Sequence, residues 1–342
     1  MSRMRRWVPV VVMASLVLVA CGSSKKQPVS SSAGTTAAQS NVTNAPPAPG
    51  SGGTVTLAIN PWDGSAANAN VAKIILEKQL GVTVKLVNID ENAVWPGLDS
   101  GQIDANLEVW PSGHATDIQT YITQKKTVIN AGLLGPTGKI GWFIPKYVAD
   151  AHPEYATYQG LNSPAAAKFF ATAETGSKGQ FLLGDTSYVS YDDQIIKNLN
   201  LPFKVVVGGG EAALITALGT AFQDKSPLLF YFYQPQWANS KYALVAVKLP
   251  AITPECTASA AGQGKDGKYN CDYPTDPLLK AVSTQLQTKN PKVFKFLQNM
   301  TWPAEDQNLV TTYKNADGLS MDAAAQKWVD ANQAKWKAWL PS

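Results

Sequence analysis

The stretch VWPGLDSGQIDANLEVWPSGH, residues 94–114, combines a short helical segment, a strand and a polar turn. The strand pattern of IDANLEV runs directly into the turn WPSGH, so Trp110 and His114, one of only two histidines in the chain, follow the end of a strand. Ligands of open parallel sheets bind beyond the carboxyl ends of strands. These side chains could therefore pack a core, catalyse a reaction or hold a ligand, and the rest of the sequence has to separate these roles.

Strand and helix patterns alternate on both sides of this stretch. The other predicted strands are 54–59, 82–89, 139–145, 180–184, 203–210, 227–233 and 243–249. Helical patterns cover about 66–80, 115–124, 164–172, 192–199 and 211–222. The chain after residue 271 is predicted to be helical at about 276–287, 291–300, 305–315 and 322–339. Alternation of this kind predicts parallel sheets in an α/β fold.

The N-terminus predicts export and lipid attachment. Arginines at positions 3, 5 and 6 precede the apolar run WVPVVVMASLVLVA, residues 7–20, which is shorter than a membrane-spanning helix. The sequence LVAC ending at Cys21 resembles the lipidation site of bacterial lipoproteins, which predicts a signal peptide over 1–20 and a lipid-modified Cys21. The alternative is an ordinary signal peptide with an incidental cysteine. Residues 21–53 are rich in Ser, Thr, Ala, Pro and Gly, and we expect a disordered tether there.

The remaining 289 residues, from Thr54 to Ser342, are enough for two lobes or one large domain. The formal net charge of +4 includes the three signal-peptide arginines, and no dense basic stripe is present, so we expect no nucleic-acid partner. Cys256 and Cys271 lie in a loop rich in Gly, Lys and Asp. Outside the cytoplasm such a pair predicts a structural disulfide; a metal site is the alternative, but neither cysteine has a nearby histidine or CxxC partner.

Motifs of catalysis are weak in this chain. The sequence contains no GxSxG, SxxK or HExxH motif, and GGG at 208–210 lacks the rest of a phosphate-binding loop. We therefore predict no catalytic residues, no metal and no cofactor. Aromatic residues instead follow or end several predicted strands: Trp62, Trp110, Tyr188, Tyr191, Tyr231, Tyr233 and Trp237. Converging aromatic faces suit a quaternary ammonium ion, which donates no hydrogen bonds but is attracted to ring quadrupoles.

The chain from about 54 to 340 resembles the substrate-binding proteins of glycine betaine, proline betaine and choline ABC importers. The resemblance lies in residues 59–84, 94–114, 138–150 and 228–237. It implies a type II periplasmic-binding-protein fold, with two α/β lobes that close on a ligand. It also implies an aromatic cage of Trp62, Trp110, Tyr188 and Tyr233. The betaine carboxylate would be bound by His114 and by the backbone N–H groups of Val189 and Ser190.

The resemblance predicts a first lobe of 54–139 plus 245–342 and a second lobe of 140–244. We expect a monomeric, non-enzymatic protein, anchored on the extracytoplasmic face of the membrane, that passes a small quaternary amine such as glycine betaine to a permease. The alternatives are a choline- or carnitine-binding or sensing lipoprotein and a secreted hydrolase that uses His114. Asp63 either favours a hydroxyl-bearing cation such as choline or caps the helix that follows it.

Overall fold

The computed structural model describes residue 48 and residues 50–342 of the chain. The predicted signal peptide, residues 1–20, and the lipidation site Cys21 lie outside the described residues, as does most of the predicted tether, 21–53. Within the part that is described, no helix has both the length and the apolar character that a bilayer crossing requires.

In the described part of the chain, nine strands form a single mixed sheet. They are β1 (Thr54–Ile59), β2 (Thr83–Asn88), β3 (Ala105–Val109), β4 (Val128–Pro145), β5 (Gly179–Leu183), β6 (Phe203–Val207), β7 (Phe230–Gln234), β8 (Leu244–Ala246) and β9 (Thr275–Ser283). The order across the sheet is β2-β1-β3-β9-β4-β7-β5-β6, and β8 also pairs with β4. Two parallel groups, β2-β1-β3 and β7-β5-β6, thus flank the antiparallel pair of β9 and β4.

Helices connect these strands and complete the C-terminus. The first eight are α1 (Asp63–Leu80), α2 (Val94–Ser100), α3 (Ala115–Asp117), α4 (Lys146–Ala151), α5 (Tyr158–Leu161), α6 (Pro164–Phe169), α7 (Asp192–Asn198) and α8 (Glu211–Asp224). The others are α9 (Ala238–Lys241), α10 (Pro254–Ala261), α11 (Gln285–Lys289), α12 (Pro291–Asn299), α13 (Ala304–Asn315), α14 (Met321–Ala331) and α15 (Gln333–Lys337). A π-helix, Ile118–Gln124, continues α3, and a 3₁₀ helix spans Pro153–Ala156.

The expected helix at 276–287 is wrong, because most of this segment is the strand β9. β9 lies between β3 and β4, and its last six residues, from Leu278 to Ser283, are all buried. A short apolar run that is covered on both faces has no alternation of polar residues, so periodicity cannot distinguish it from a buried helix. β4 is also much longer than predicted: it begins at Val128, where it pairs with β9, and ends beside β7 and β8.

Helix α1 begins directly after the first candidate cage residue, Trp62, which is its N-cap. Gly81 ends the helix in a left-handed conformation, with φ of 63°, as the sequence pattern predicts. The helix packs on β1, β3, α13 and α14. Its buried Asn68 accepts a hydrogen bond from the indole of Trp302, at 3.0 Å. The C-terminal helices therefore hold the start of α1, and with it Trp62, in place.

Cys256 and Cys271 form a disulfide that closes a 15-residue separation in the chain. The loop between them contacts helix α7, because Asn198 donates hydrogen bonds to the carbonyl oxygens of Gly267 and Tyr269, both at 2.9 Å. This loop and β8 thus pack against elements of the predicted second lobe, although the sequence assigned residues 245–342 to the first. The lobe boundaries themselves remain predictions.

Candidate functional site

A cavity between the two parallel strand groups contains about 480 Å³ of space free of protein atoms, part of which is open to solvent. Its lining includes seven aromatic residues: Trp62, Trp110, Tyr188, Tyr191, Tyr231, Tyr233 and Tyr273. The other lining residues are Glu91, Ser112, Gly113, Ile140 and Val189. Among the residues that the structure describes, no lysine or arginine lines this cavity, and Glu91 is its one charged lining residue.

Glu108 holds both tryptophans of the cavity. Its Oε1 accepts hydrogen bonds from Nε1 of Trp62 at 2.7 Å and from Nε1 of Trp110 at 3.1 Å. Oε2 accepts from Asn68 at 2.6 Å and from Gln307 at 2.7 Å. Burial raises the pKa of Glu108, while these four donors act against that shift by stabilising the carboxylate. With their N–H groups occupied, the two indoles present apolar ring surface to the cavity.

Gly138 in β4 gives Trp110 its position. A Cβ atom at residue 138 would lie only 2.3 Å from Cζ3 of the Trp110 ring, closer than side chains approach one another. The indole therefore lies directly against the backbone of β4. Any larger residue at 138 would push the ring away from this strand.

The tyrosine hydroxyl groups on the opposite side of the cavity also form hydrogen bonds with the protein. Tyr188, after β5, donates to the carbonyl oxygen of Pro61 at 3.0 Å. Tyr233, which lies within β7 and not beyond its end, donates to Oε1 of Glu211 at 2.6 Å. Burial, with nearby carboxylates, raises the pKa of Tyr188 and of Tyr233, so both remain neutral phenols at physiological pH. Their aromatic rings, and not their hydroxyl groups, are what they offer a ligand.

Each tryptophan meets one of these tyrosines edge to face. The ring centroids of Trp62 and Tyr188 lie 6.0 Å apart with the planes at 75°. Those of Trp110 and Tyr233 lie 5.9 Å apart with the planes at 83°. T-shaped pairs of this kind are favourable, and they present ring faces in different directions around one space. The four predicted cage residues therefore meet at one cavity.

Three further tyrosines line the cavity. Tyr191 stacks on Tyr273, with centroids 5.8 Å apart, and its backbone N–H donates to the Tyr273 hydroxyl at 2.8 Å. That hydroxyl in turn donates to Asp192 at 2.8 Å. Tyr191 and Tyr231 lie in the aromatic segments that the sequence singled out, but they were not chosen as site residues. Tyr273, just before β9, carried no signal because its segment was read as the approach to a helix.

Glu91 and His114 form an ionic pair at the edge of the cavity. Oε2 of Glu91 lies 2.9 Å from Nε2 of His114, and Oε1 accepts a hydrogen bond of 2.6 Å from the backbone N–H of Val189. Nδ1 of His114 lies 3.0 Å from Oδ2 of Asp117 and 3.1 Å from the indole nitrogen of Trp95. No sequence motif singles out Glu91, although it follows the end of β2 as Trp62 and Trp110 follow β1 and β3.

The imidazole of His114 is protonated at neutral pH. Burial alone would lower its pKa, but hydrogen bonds to Asp117 and Glu91 and their negative charges raise the pKa to about 9. In the protonated ring both nitrogens donate, so the Trp95 indole has no lone pair to bond at Nδ1. The carboxylates of Glu91 and Asp117 stabilise the protonated ring more than the Trp95 N–H destabilises it. Glu91, His114 and Asp117 together then carry one net negative charge.

The structure brings five of the seven predicted ligand-binding residues to the cavity: Trp62, Trp110, Tyr188, Val189 and Tyr233. His114 does not line it, because its ring is 2% exposed and both nitrogens face carboxylates. Ser190 is not among the lining residues either. Asp63 is the first residue of α1 and not its cap, and its carboxylate binds Lys314 and Asn315 outside the cavity. The contacts of His114 and Ser190 with a ligand stay predictions.

Comparison with known families identifies the chain. Residues 53–331 match the family model described as the substrate binding domain of ABC-type glycine betaine transport systems. The chain belongs to this family. It is therefore a substrate-binding protein of the glycine betaine type of ABC transport system, working on the extracytoplasmic side, and it is not an enzyme.

Named relatives of this solute-binding protein include the trimethylamine N-oxide-binding protein of Pelagibacter ubique, 24% identical over 289 residues, which are 82% of this chain and 89% of the relative. Lactococcal OpuAC in its closed conformation with glycine betaine has a TM-score of 0.63 at 21% identity, over 84% of this chain and 99% of that chain. An ABC-transporter choline-binding protein in complex with choline has a TM-score of 0.65 at 20% identity. The match covers 85% of this chain and 92% of that chain. The predicted two-lobed periplasmic-binding-protein fold is confirmed.

Proposed function

We propose that this protein captures a quaternary ammonium compound in a cage of Trp62, Trp110, Tyr188 and Tyr233 and delivers it to the permease of an ABC importer. The observation that carries the proposal is the lining itself, in which seven of the twelve residues are aromatic. A cation over an aromatic face gains about 0.5–2 kcal/mol. Four such contacts supply much of the roughly −8 kcal/mol that corresponds to a micromolar dissociation constant.

The charges around the cavity favour a cationic ligand. Behind the aromatic rings lie the buried carboxylates of Glu108, Asp192 and Glu211, and Glu91 is part of the lining. Asp276 accepts two hydrogen bonds from the lining residue Ser112, at 2.8 and 2.6 Å. Burial raises the pKa of Glu108, that of Asp192 to about 6 and that of Glu211 to about 7, and the carboxylate charge that remains favours a cation over a neutral molecule of the same shape.

The ligand head group follows from the same chemistry. Trimethylamine N-oxide, glycine betaine and choline, the compounds in the names of the relatives, share a trimethylated nitrogen. Such a nitrogen has a diffuse positive charge and no N–H donor, so aromatic faces bind it without leaving a hydrogen bond unmade. We expect this group to be the part of the ligand that all four cage rings contact.

Two lobes would close around this ligand. We propose that β4 and β9 are the two crossings between the lobes, because this antiparallel pair separates the two parallel strand groups. The backbone N–H of Asp63 donates to Glu211 at 2.7 Å, and Asn92 donates to the carbonyl of Ser187 at 3.4 Å. These contacts join the two groups and belong to the closed form, which a ligand stabilises by binding it more tightly than the open form.

We further propose that the mature chain is a monomer anchored in the membrane through a lipid on Cys21, with residues 22–53 as the tether. The central test of the function is titration calorimetry of the soluble domain with choline, glycine betaine, proline betaine, carnitine and trimethylamine N-oxide. We expect at least one of these compounds to bind at micromolar concentration or below. If none binds, the aromatic cavity is not a quaternary ammonium site and the proposal fails.

A further inference from the structure

The donors that would bind a ligand carboxylate in this cavity are already engaged by a carboxylate of the protein. Oε1 of Glu91 accepts from the backbone N–H of Val189 at 2.6 Å, and Oε2 faces Nε2 of His114 at 2.9 Å. These are two of the three groups that the family resemblance assigned to a betaine carboxylate. Glu91 is 8% exposed and lines the cavity, so its charge is close to any bound ligand.

From this arrangement we infer that Glu91 makes the site selective for quaternary ammonium alcohols, such as choline, over zwitterions that carry a carboxylate. The inference rests on the proposed function, since it names the substrate class of the same cavity. A betaine carboxylate placed near Val189 would meet the Glu91 carboxylate, with the donors already used. Bringing two carboxylates together without a free donor between them is strongly unfavourable in a buried site.

A ligand hydroxyl group, unlike a ligand carboxylate, can form a hydrogen bond with Glu91. An ionised carboxylate has about four lone-pair sites, and those of Glu91 bind two protein donors, Val189 and His114, which leaves room for a ligand O–H to donate. The charge of Glu91 also attracts the ammonium group, while that of His114 is shared with Asp117. The cage thus recognises the cation, and Glu91 recognises the other end of the ligand.

Four other lining residues have their donors engaged within the protein. The side chain and the backbone N–H of Ser112 both donate to Asp276, at 2.6 and 2.8 Å. The backbone N–H of Gly113 donates to the carbonyl of Trp110 at 3.2 Å. The hydroxyl groups of Tyr188 and Tyr233 donate to protein oxygens, as described above. At Ser112, Gly113, Tyr188 and Tyr233 a ligand carboxylate would therefore have to displace an existing partner.

The test compares three ligands of similar size on the wild-type domain by calorimetry: choline, glycine betaine and n-propyltrimethylammonium. The last ligand replaces the choline hydroxyl by a methyl group. Choline should bind at least about tenfold more tightly than either, because a hydrogen bond to a charged group contributes about that much or more. Tighter or equal binding of glycine betaine would overturn the inference and leave the cage intact. Binding of none of the three would overturn the inference, and would overturn the proposed function as well if proline betaine, carnitine and trimethylamine N-oxide also fail to bind.

Glu91→Gln is the matching variant. It keeps the size of the side chain, removes the charge and supplies an N–H₂ donor. The affinity for choline should therefore fall by about tenfold or more, while the affinity for glycine betaine rises. Glu154→Gln, on the surface at 52% side-chain exposure, is the control and should change neither value. Equal losses for choline and glycine betaine in Glu91→Gln would show that Glu91 only orders the loop. If that variant fails to fold, the order of the three affinities measured on the wild type still tests the inference.

Discussion

The indole N–H of Trp62 donates to Oε1 of Glu108 over 2.7 Å, although 46 positions separate the two residues in the chain. The same oxygen accepts from Trp110, so one carboxylate fixes two rings of the proposed cage. All four of its partners are donors: the two indole N–H groups cannot accept a hydrogen bond, and the amides of Asn68 and Gln307 would have to turn over to accept one. Glu108 is therefore the residue through which the fold sets the geometry of the tryptophans.

Glu108→Gln should disturb both tryptophans. The new N–H₂ group would face donors, and we expect the free energy of unfolding to fall by about 1–3 kcal/mol, the cost of leaving buried groups unpaired. Affinity for quaternary ammonium ligands should fall as well, because the rings lose their fixed positions. Denaturant unfolding and calorimetry measure the two effects. The exposed Glu305→Gln serves as control; an unchanged dissociation constant in Glu108→Gln would argue against the positioning role.

Removing a ring from the cage should weaken all quaternary ammonium ligands together. Trp110→Ala or Tyr233→Ala takes one face from the cation, and a loss of about tenfold or more is expected because one good contact with its buried area contributes about 1.4 kcal/mol. Tyr233→Phe keeps the ring and removes only the hydroxyl that donates to Glu211. That variant should retain most of the affinity. Calorimetry that finds Tyr233→Phe as weak as Tyr233→Ala would assign the effect to Glu211 and not to the ring.

His114 should make stability depend on pH. Its pKa is raised to about 9, above the usual value near 6.5, so its stabilising contribution is complete below about pH 6.5 and disappears as the pH rises through about 9. The wild type should therefore lose unfolding free energy over this interval relative to His114→Gln. Denaturant titrations at several pH values measure the difference. His152→Gln, at the other histidine, should follow the wild type; a flat difference between wild type and His114→Gln would show that the ring is neutral in the folded protein.

The disulfide should contribute to both stability and binding. Replacing Cys256 and Cys271 with serine frees a loop with a 15-residue separation, which costs about 3 kcal/mol in the chain-entropy model. The loop also accepts a hydrogen bond from the Tyr191 hydroxyl at the Ala260 carbonyl, 3.2 Å away, so ligand affinity should fall modestly. Thermal unfolding with and without a reducing agent tests this. The reducing agent should destabilise the wild type and leave the double serine variant unchanged.

Membrane attachment should depend on one residue. Cys21→Ala removes the proposed lipidation site and should release the protein from the membrane fraction without a change in ligand affinity, since the cavity residues all lie beyond residue 61. Fractionation of cells with immunodetection, and calorimetry of the released protein, measure the two outcomes. A variant that stays with the membrane would contradict the lipid anchor.

The sequence predicted much of the fold and four rings of the proposed cage for a physical reason. Residues that follow parallel strands meet at one edge of the sheet, so Trp62, Trp110 and Tyr188 could be grouped without knowledge of the packing. The strand β9 was missed because it is covered on both faces and lacks a polar alternation. Tyr273 was missed with it, since its place in the cavity depends on where that strand begins.

The partner of His114 could not be predicted from spacing. Glu91 and His114 are 23 positions apart and meet only because β1 and β3 are neighbours, with β2 beside β1. A histidine after a cage tryptophan indicated a donor for a ligand carboxylate. Whether that donor is free or already engaged is a property of the folded protein, because it depends on which other loops reach the same point.

The absence of a side chain at Gly138 lets the Trp110 ring lie against β4, and so sets one boundary of the space for a ligand. The Trp110 ring occupies the place where the first carbon of that side chain would stand, 2.3 Å from Cζ3. The Cβ atom of an alanine at 138 would clash with the indole and push it away from β4, toward the cavity. Residue 138 would act in this way although it is not part of the cavity lining. The methyl group of an alanine at 138, behind the Trp110 ring, would thus reduce the size of the alkyl groups on the ligand nitrogen that the cavity can hold.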